Sequence, residues 1–543
     1  MPETVTNVKR IQSRVRSFAS DPLHSAAYLN NLVSYLTGKS GRPNRSAKYS
    51  VPDSPQPENN FLFAYKVDGI TRPEPSAYAN AAACTSAGSI PDCSEIFFAV
   101  GYPSREWLNI LVDRIGVDHR FLHSHLDFLP SCQRDWYTDS SPPSRRQHSL
   151  RLLVPSIVFI GAEGRRLSVE ELHQTRNDCG AHLRSKAKNF LAGTSVQPGQ
   201  SIVRQFNIHS GDAIVLEQVL SVTFIKRENG VKGNMSTYST LLDTQLIRSV
   251  FIWSDAGERQ DSIPELKGSR FQSDSDNIEF CPVFFEQDLQ AGALDESANA
   301  HINITPRTRQ PLSVLPARYG ETIDWNTVSD DPVLMLQELF HFQSSATAQY
   351  LDMLRKLTMD TIARTPPTGN TLPSMDDILH FEYTKNVLTR WSVHFATLID
   401  SLDKIPLNLA TGRPDATGLR EATLQTLKQD LRFLKTEAEI LIGLCDSGKS
   451  TIMSSFAVFE SKQAAAESKL VTQLTKATNR ITFVFLPISF VTSVFGMNFR
   501  QFGQGELSIT MWLAVTLPLL VVCILLNERG SLFTRCFRPR PSG

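Results

Sequence analysis

Residues 481–526, ITFVFLPISFVTSVFGMNFRQFGQGELSITMWLAVTLPLLVVCILL, decide the architecture. The stretch 481–499 has 19 residues and 507–526 has 20, and neither contains Asp, Glu, Lys or Arg. About 20 apolar residues cross a hydrocarbon layer of about 30 Å. Two such runs in tandem predict a two-span hairpin, with residues 500–506 as the connecting loop. Lys469, Lys476 and Arg480 precede the first run, and Arg529, Arg535, Arg538 and Arg540 follow the second, whereas the loop holds only Arg500 and Glu506. The basic flanks place both termini on the cytosolic side, or the matrix side in an organelle, with the loop outside.

The first run carries a polar stripe. Thr475, Thr482, Ser489 and Ser493 recur at intervals of seven, seven and four, with Thr478 and Asn479 close to the same line. One such helix from each of several copies would line a wet bore, since two helices alone enclose no path. The alternative is local: Ser and Thr hydroxyls also return to their own backbone carbonyls and need no pore. Pro487 is expected to kink or loosen the helix mid-span.

Upstream, residues 331–480 read as helical. Leu336, Leu339, Phe340, Tyr350, Met353, Leu354 and Leu357 share one side, as do Leu388, Trp391, Phe395, Leu398 and Leu402. A longer pattern runs from Leu419 through Leu431, Leu441, Ile452 and Phe459 to Leu474. A continuous helix would extend beyond about 80 Å before the apolar region; the alternative is shorter bundle helices broken at the central glycines. Residues 61–290 read as a mixed α/β cytosolic domain. Within it 105–128 is helical, and 149–161, 212–225 and 239–253 are strand-like. Residues 1–60 are expected to be disordered, 291–330 to form a linker, and 527–543 a basic cytosolic tail. The fold class expected is therefore an α+β cytosolic body, then long helices, then a C-terminal transmembrane hairpin.

Composition narrows the function. Lys plus Arg and Asp plus Glu both total 55, so the chain is no simple basic nucleic-acid binder. Its eight cysteines are scattered, with no CxxC pair, which fits reduced thiols facing a cytosol. The N-terminus, MPETVTNVKRIQSRVRSFASD, lacks the apolar core of a secretory signal. GLCDSGKS, Gly443 to Ser450, satisfies the written phosphate-loop pattern, with Lys449 and Ser450 in the ligating places. It follows helix formers rather than a buried strand, so nucleotide is not an expected partner; a break or kink between helical stretches is expected there. His119, His123, His125 and Asp127 crowd together without a metal-ligand signature and read as surface histidines on a helix.

A long amphipathic helix, a span ending in Phe495-Gly496-Met497-Asn498, a short loop, a second span and a basic tail together resemble the CorA family of magnesium transporters, in particular its large, diverged fungal type. The resemblance implies a homopentamer in a lipid bilayer around one pore lined by the first span, and no enzyme activity. It implies a mouth formed by Gly496, Met497 and Asn498, with the Asn498 amide and the Gly496 carbonyl accepting hydrogen bonds from the water shell of Mg2+. That chemistry suits an ion that dehydrates reluctantly. Ser489 corresponds to a polar pore position, Leu486 to an apolar constriction, and Thr482, Thr478, Thr475 and Ser493 continue the line. Arg500 departs from what a cation entrance favours, while Glu506 matches an acidic position before the second span. No resident cofactor is implied: Mg2+ is cargo and a candidate regulator, with Asp446, Glu460 and Glu467 as candidate regulatory acids. The plasma membrane is the first expectation, with vacuolar and mitochondrial inner membranes as alternatives.

Overall fold

The structure is a computed structural model whose described residues are 60–67, 73–86, 95–126, 149–160, 168–191, 198–211, 213–226, 247–257, 278–283, 310–321, 323, 325, 331, 333–364, 374–405, 414–495 and 508–536. The expectations for residues 1–59, for most of the 291–330 linker and for loop 500–506 fall outside them. Two compact units are present: residues 1–364 with 375–449, and residues 365–374 with 450–543.

The first unit is built on an eight-stranded sheet. Its strands are β1 (Leu62–Lys66), β2 (Ser76–Tyr78), β3 (Glu95–Val100), β4 (Ser149–Ile160), β5 (Gln205–Ile208), β6 (Ala213–Lys226), β7 (Ile247–Ser254) and β8 (Ile278–Phe280). The order is β2-β1-β3-β7-β6-β4-β8, with β5 also pairing β6. β3 and β7 run parallel and the other pairs antiparallel. β6, AIVLEQVLSVTFIK, is buried along both faces, as its Val/Ile content and central position require. The expected strands at 149–161 and 212–225 form. That at 239–253 is present as β7, its earlier residues lying outside those described.

The segment 105–128 is not one helix. α2 (Arg105–Ile110) continues through a π-turn (Leu111–Ile115) and stops at Gly116, whose φ of 85° is left-handed. α3 (His119–His125) then restarts with Asp118 as its N-cap. The break lets Trp107, Leu111 and Ile115 and then Phe121, Leu122 and Leu126 enter the same core as Phe251 and Trp253. Each buried Leu or Phe contributes roughly 1.5–3 kcal/mol. α1 (Ala81–Ser86) and α4 (Val169–Leu191) complete the N-terminal helices.

After α5 (Pro311–Arg318), two helices of this unit pack on β4: α6 (Gln337–Arg364) and α7 (Met375–Asp403). Trp391 of α7 is fully buried, and its Nε1–H donates to Glu217 Oε1 on β6 at 3.1 Å. The next helix, α8, runs unbroken from Pro414 to Phe495 over 82 residues. The long-helix expectation is therefore met, and the expected break at GLCDSGKS is not: those residues lie inside α8. The helix crosses its neighbours at Gly448, where an added Cβ would sit 2.8 Å from Phe381 Cζ and 3.1 Å from Ile362 Cγ1. Glycine there serves close helix packing, not a turn.

The second unit contains α8 from Ser450 onward and α9 (Ile509–Cys536). Among the described residues one helix, α8, is long and apolar enough to cross a membrane. The apolar part of α9, Ile509–Leu525, is shorter, and α9 continues past it to Cys536. The protein thus combines an α+β body with long C-terminal helices.

Candidate functional site

The sequence directs attention to the membrane-length part of α8. At about 3.6 residues per turn, Thr475, Thr478, Thr482, Leu486, Ser489 and Ser493 fall within an arc of about 80°. All six are exposed in the single chain. Pro487 and Val491 are buried and Val484 and Ile488 half-buried, and these four occupy the opposite arc. The helix therefore keeps one side inside its own unit and presents the polar line outward. Pro487 does not interrupt α8.

The hydroxyls of this line are locally bonded. Thr475 Oγ1 donates to Val471 O at 2.8 Å, Thr482 Oγ1 to Thr478 O at 2.9 Å, and Ser489 Oγ to Leu486 O at 3.2 Å. Each bond uses the hydroxyl proton and leaves oxygen lone pairs as acceptors. A row of acceptors suits partners that donate, such as the waters around a cation.

Charge is sorted around the same helix, a pattern the reading of the sequence missed. Lys462, Lys469, Lys476 and Arg480 are exposed and fall within an arc of about 40°, roughly opposite the polar line. Glu460 and Glu467 are exposed on the side of Thr478. The spacing of seven, seven and four among the bases was the available signal. Its effect is a helix whose polar, acidic side is favourable to cations and whose far side is basic.

Gly496, Met497, Asn498, Arg500 and Glu506 lie outside the described residues. Among the candidate regulatory acids, Asp446 is already paired: Lys385 Nζ lies 2.8 Å and 3.0 Å from its two carboxylate oxygens. Glu467 accepts from Gln463 Nε2 at 3.3 Å. Among the described residues no group of three or more His, Cys, Asp or Glu side chains is placed to hold a metal ion.

Two motifs resolve. The phosphate-loop reading of GLCDSGKS fails because the segment is helix interior and Lys449 Nζ meets Glu382 Oε2 at 2.9 Å. His125 is not a surface residue; it is 1% exposed and stacks on Trp253 with ring centroids 4.6 Å apart. Its Nδ1 lies 2.8 Å from Ser221 Oγ, and its Nε2 sits 3.3 Å from Asp255 Oδ1 without hydrogen-bond alignment. Burial, then Arg204 and Arg151, hold its pKa well below the usual imidazole range, so the ring is neutral. The side chains of His119 and His123 and all of Asp127 fall outside the described residues.

No family model and no curated protein sequence matches the chain. Solved structures do, among them the complete structure of the CorA magnesium transporter from Methanocaldococcus jannaschii. That alignment has 12% sequence identity, covers 89% of this chain and 98% of that one, and has a TM-score of 0.31.

Proposed function

We propose that the chain carries a hydrated divalent cation, magnesium, across a membrane through a pore made by a homopentamer. The supporting observation is the sorting of α8: an exposed line of hydroxyl acceptors with acids on one side, bases opposite, and Val484, Pro487, Ile488 and Val491 turned into the unit on the arc facing away from the line. Copies arranged with the polar line inward would face Thr475, Thr478, Thr482, Leu486, Ser489 and Ser493 toward the path. The segment Gly496-Met497-Asn498 would form the outer mouth, recognising the ion through its waters. Arg500 would point away from the entrance or pair with Glu506. Helix α9 supplies the second span, both termini face the cytosol, and the plasma membrane is the first candidate location. The ion moves down its electrochemical gradient, driven by about 2.3 kcal/mol per charge per 100 mV, without nucleotide and without enzymatic chemistry.

The second reading is a membrane-anchored interaction or regulatory protein that has lost conduction. The local hydroxyl bonds favour it, because they satisfy the stripe without a pore. Reconstitution into liposomes holding a magnesium-sensitive dye separates the two. Uptake by the native protein, abolished in Asn498→Ala with assembly unchanged, supports transport; a stable monomer, or an assembled protein giving no flux, supports the anchor.

A further inference from the structure

Lys469, Gln473, Lys476 and Arg480 follow one another along α8 at intervals of four, three and four, so they share one helix face, and all four are exposed. The face ends where the uncharged run begins at Ile481. At the rise of an α-helix, Arg480 stands about 1.5 Å before that run, Lys476 about 7.5 Å and Lys469 about 18 Å. A headgroup layer adds about 5–8 Å on each side of the hydrocarbon. Lys476 and Arg480 therefore fall level with headgroups, and Lys469 lies beyond them.

The positive charge of this face is not offset. Among the described residues no carboxylate pairs with Lys476 or Arg480. The acids of α8 nearest to them in sequence, Glu460 and Glu467, lie at least about 140° away around the helix. Apart from loop 500–506, the second unit carries eight Lys and Arg against three Glu, and residues 365–374 carry no ionisable side chain. Four of those arginines, Arg529, Arg535, Arg538 and Arg540, follow the second apolar run with Glu528 alone beside them. The balance of the unit is thus positive by sequence.

We propose that this face of α8 binds the headgroup of an anionic phospholipid in the cytosolic leaflet, with Arg480 and Lys476 meeting its charged groups and Gln473 as a neutral donor beneath them. The Arg480 fork matches two phosphate oxygens, and Lys476, one turn away, supplies a second point charge. Position selects a lipid over a free anion. The apolar run that starts at the next residue lies against acyl chains, which hold the headgroup level with the two bases. A soluble anion would meet only an exposed, hydrated surface. The proposal rests on the membrane placement of α8 and not on conduction, since the polar line faces the other way.

The test uses the full chain reconstituted in phosphatidylcholine vesicles with trace spin-labelled phosphatidylserine or phosphatidylcholine, whose motionally restricted fractions give their relative association. The native protein should favour phosphatidylserine about fivefold at low salt. That preference should shrink as added salt shortens the screening length, and this readout needs no variant. Arg480→Gln and Lys476→Gln should each remove most of the preference, whereas Lys469→Gln should keep most of it. Inorganic phosphate at constant ionic strength should not displace the label. Magnesium uptake measured in the same vesicles separates the two readings: lipid preference without uptake removes transport alone, and uptake without lipid preference removes this proposal alone. Equal association of the two lipids with the native protein, a ratio unmoved by Arg480→Gln and Lys476→Gln, a ratio moved as far by Lys469→Gln, or displacement by free phosphate would overturn it.

Discussion

Lys449 Nζ lies 2.9 Å from Glu382 Oε2, joining α8 to α7 on an exposed surface. This contact gives the lysine of the phosphate-loop pattern a structural partner, and helix geometry withdraws the loop of backbone N–H groups that such a pattern needs. The hydrogen bond from Lys449 is the main cause that holds the Glu382 carboxyl below its ordinary pKa, with the lysine charge second. The protein should show no saturable binding of a fluorescent ATP analogue. Lys449→Ala should leave both that result and the melting temperature unchanged, because exposed pairs contribute little. Saturable nucleotide binding lost in Lys449→Ala would restore the phosphate-loop reading.

The two glycines of the same motif should respond with opposite signs. Gly443 has no neighbour within 4 Å of an added Cβ. Gly443→Ala is therefore expected to stabilise by up to about 1 kcal/mol through helix propensity. Gly448→Ala meets the ring of Phe381, itself 1% exposed, and Ile362 Cγ1. The crowding should cost about 1–3 kcal/mol, outweighing the propensity gain. Thermal unfolding of the two variants beside the native protein checks the pair; equal shifts would contradict the close crossing at Gly448.

These glycines also mark where the sequence was legible and where it was not. Apolar period, length and β-branched content carried enough information for β4, β6 and the 82-residue helix α8. Gly443 and Gly448 read as helix breakers because composition records their freedom but not the Phe381 ring that makes Gly448 necessary. Gly116 misled in the opposite direction, since the apolar period continues across the point where its positive φ ends the helix. His125 resembled a surface residue because its partners, Ser221 and Asp255, are 96 and 130 positions away in the chain. By contrast, the charge sorting on α8 is local and was present in the spacing.

Asp255 is fully buried and accepts from Arg204 twice and from the Val219 backbone N–H, each at 2.7 Å. Removing one partner of a buried pair leaves the other charge poorly compensated, at a cost of about 3–5 kcal/mol. Asp255→Ala should therefore lose stability on that scale in chemical unfolding. Arg204→Met, which leaves the carboxylate able to protonate because burial already raises its pKa, should lose less. A larger loss in Arg204→Met than in Asp255→Ala would reverse the assignment.

Buried neutral histidines set an acid limit. Burial, with Arg176 and Arg364, lowers His380 to about 4; burial, with Arg151 and Arg390, lowers His394 to about 4. Between pH 6.5 and about 4 the unfolded chain gains protons at these positions while the folded chain does not. Stability therefore falls as pH drops through that window and levels off below it. Asp255 and Asp331, both raised by burial, act in the opposite sense between their raised values and 3.8. Melting temperature measured across pH 7 to 4 should decline from near pH 6.5, and less steeply in His380→Gln. A flat profile over that range would count against neutral, buried imidazoles.

The sorting of charge around α8 makes the most direct prediction about transport. Glu467 lies on the side of the polar line and Lys469 on the opposite side. If copies turn the polar line toward a cation path, Glu467→Lys places a positive charge beside that path, while Lys469→Glu alters only the far side. Local repulsion should then slow magnesium uptake into liposomes several-fold for Glu467→Lys, with the deficit shrinking as ionic strength rises and screening shortens. Lys469→Glu should stay near the native rate. Equal losses in both variants, or the larger loss in Lys469→Glu, would place the wrong face of the helix on the path.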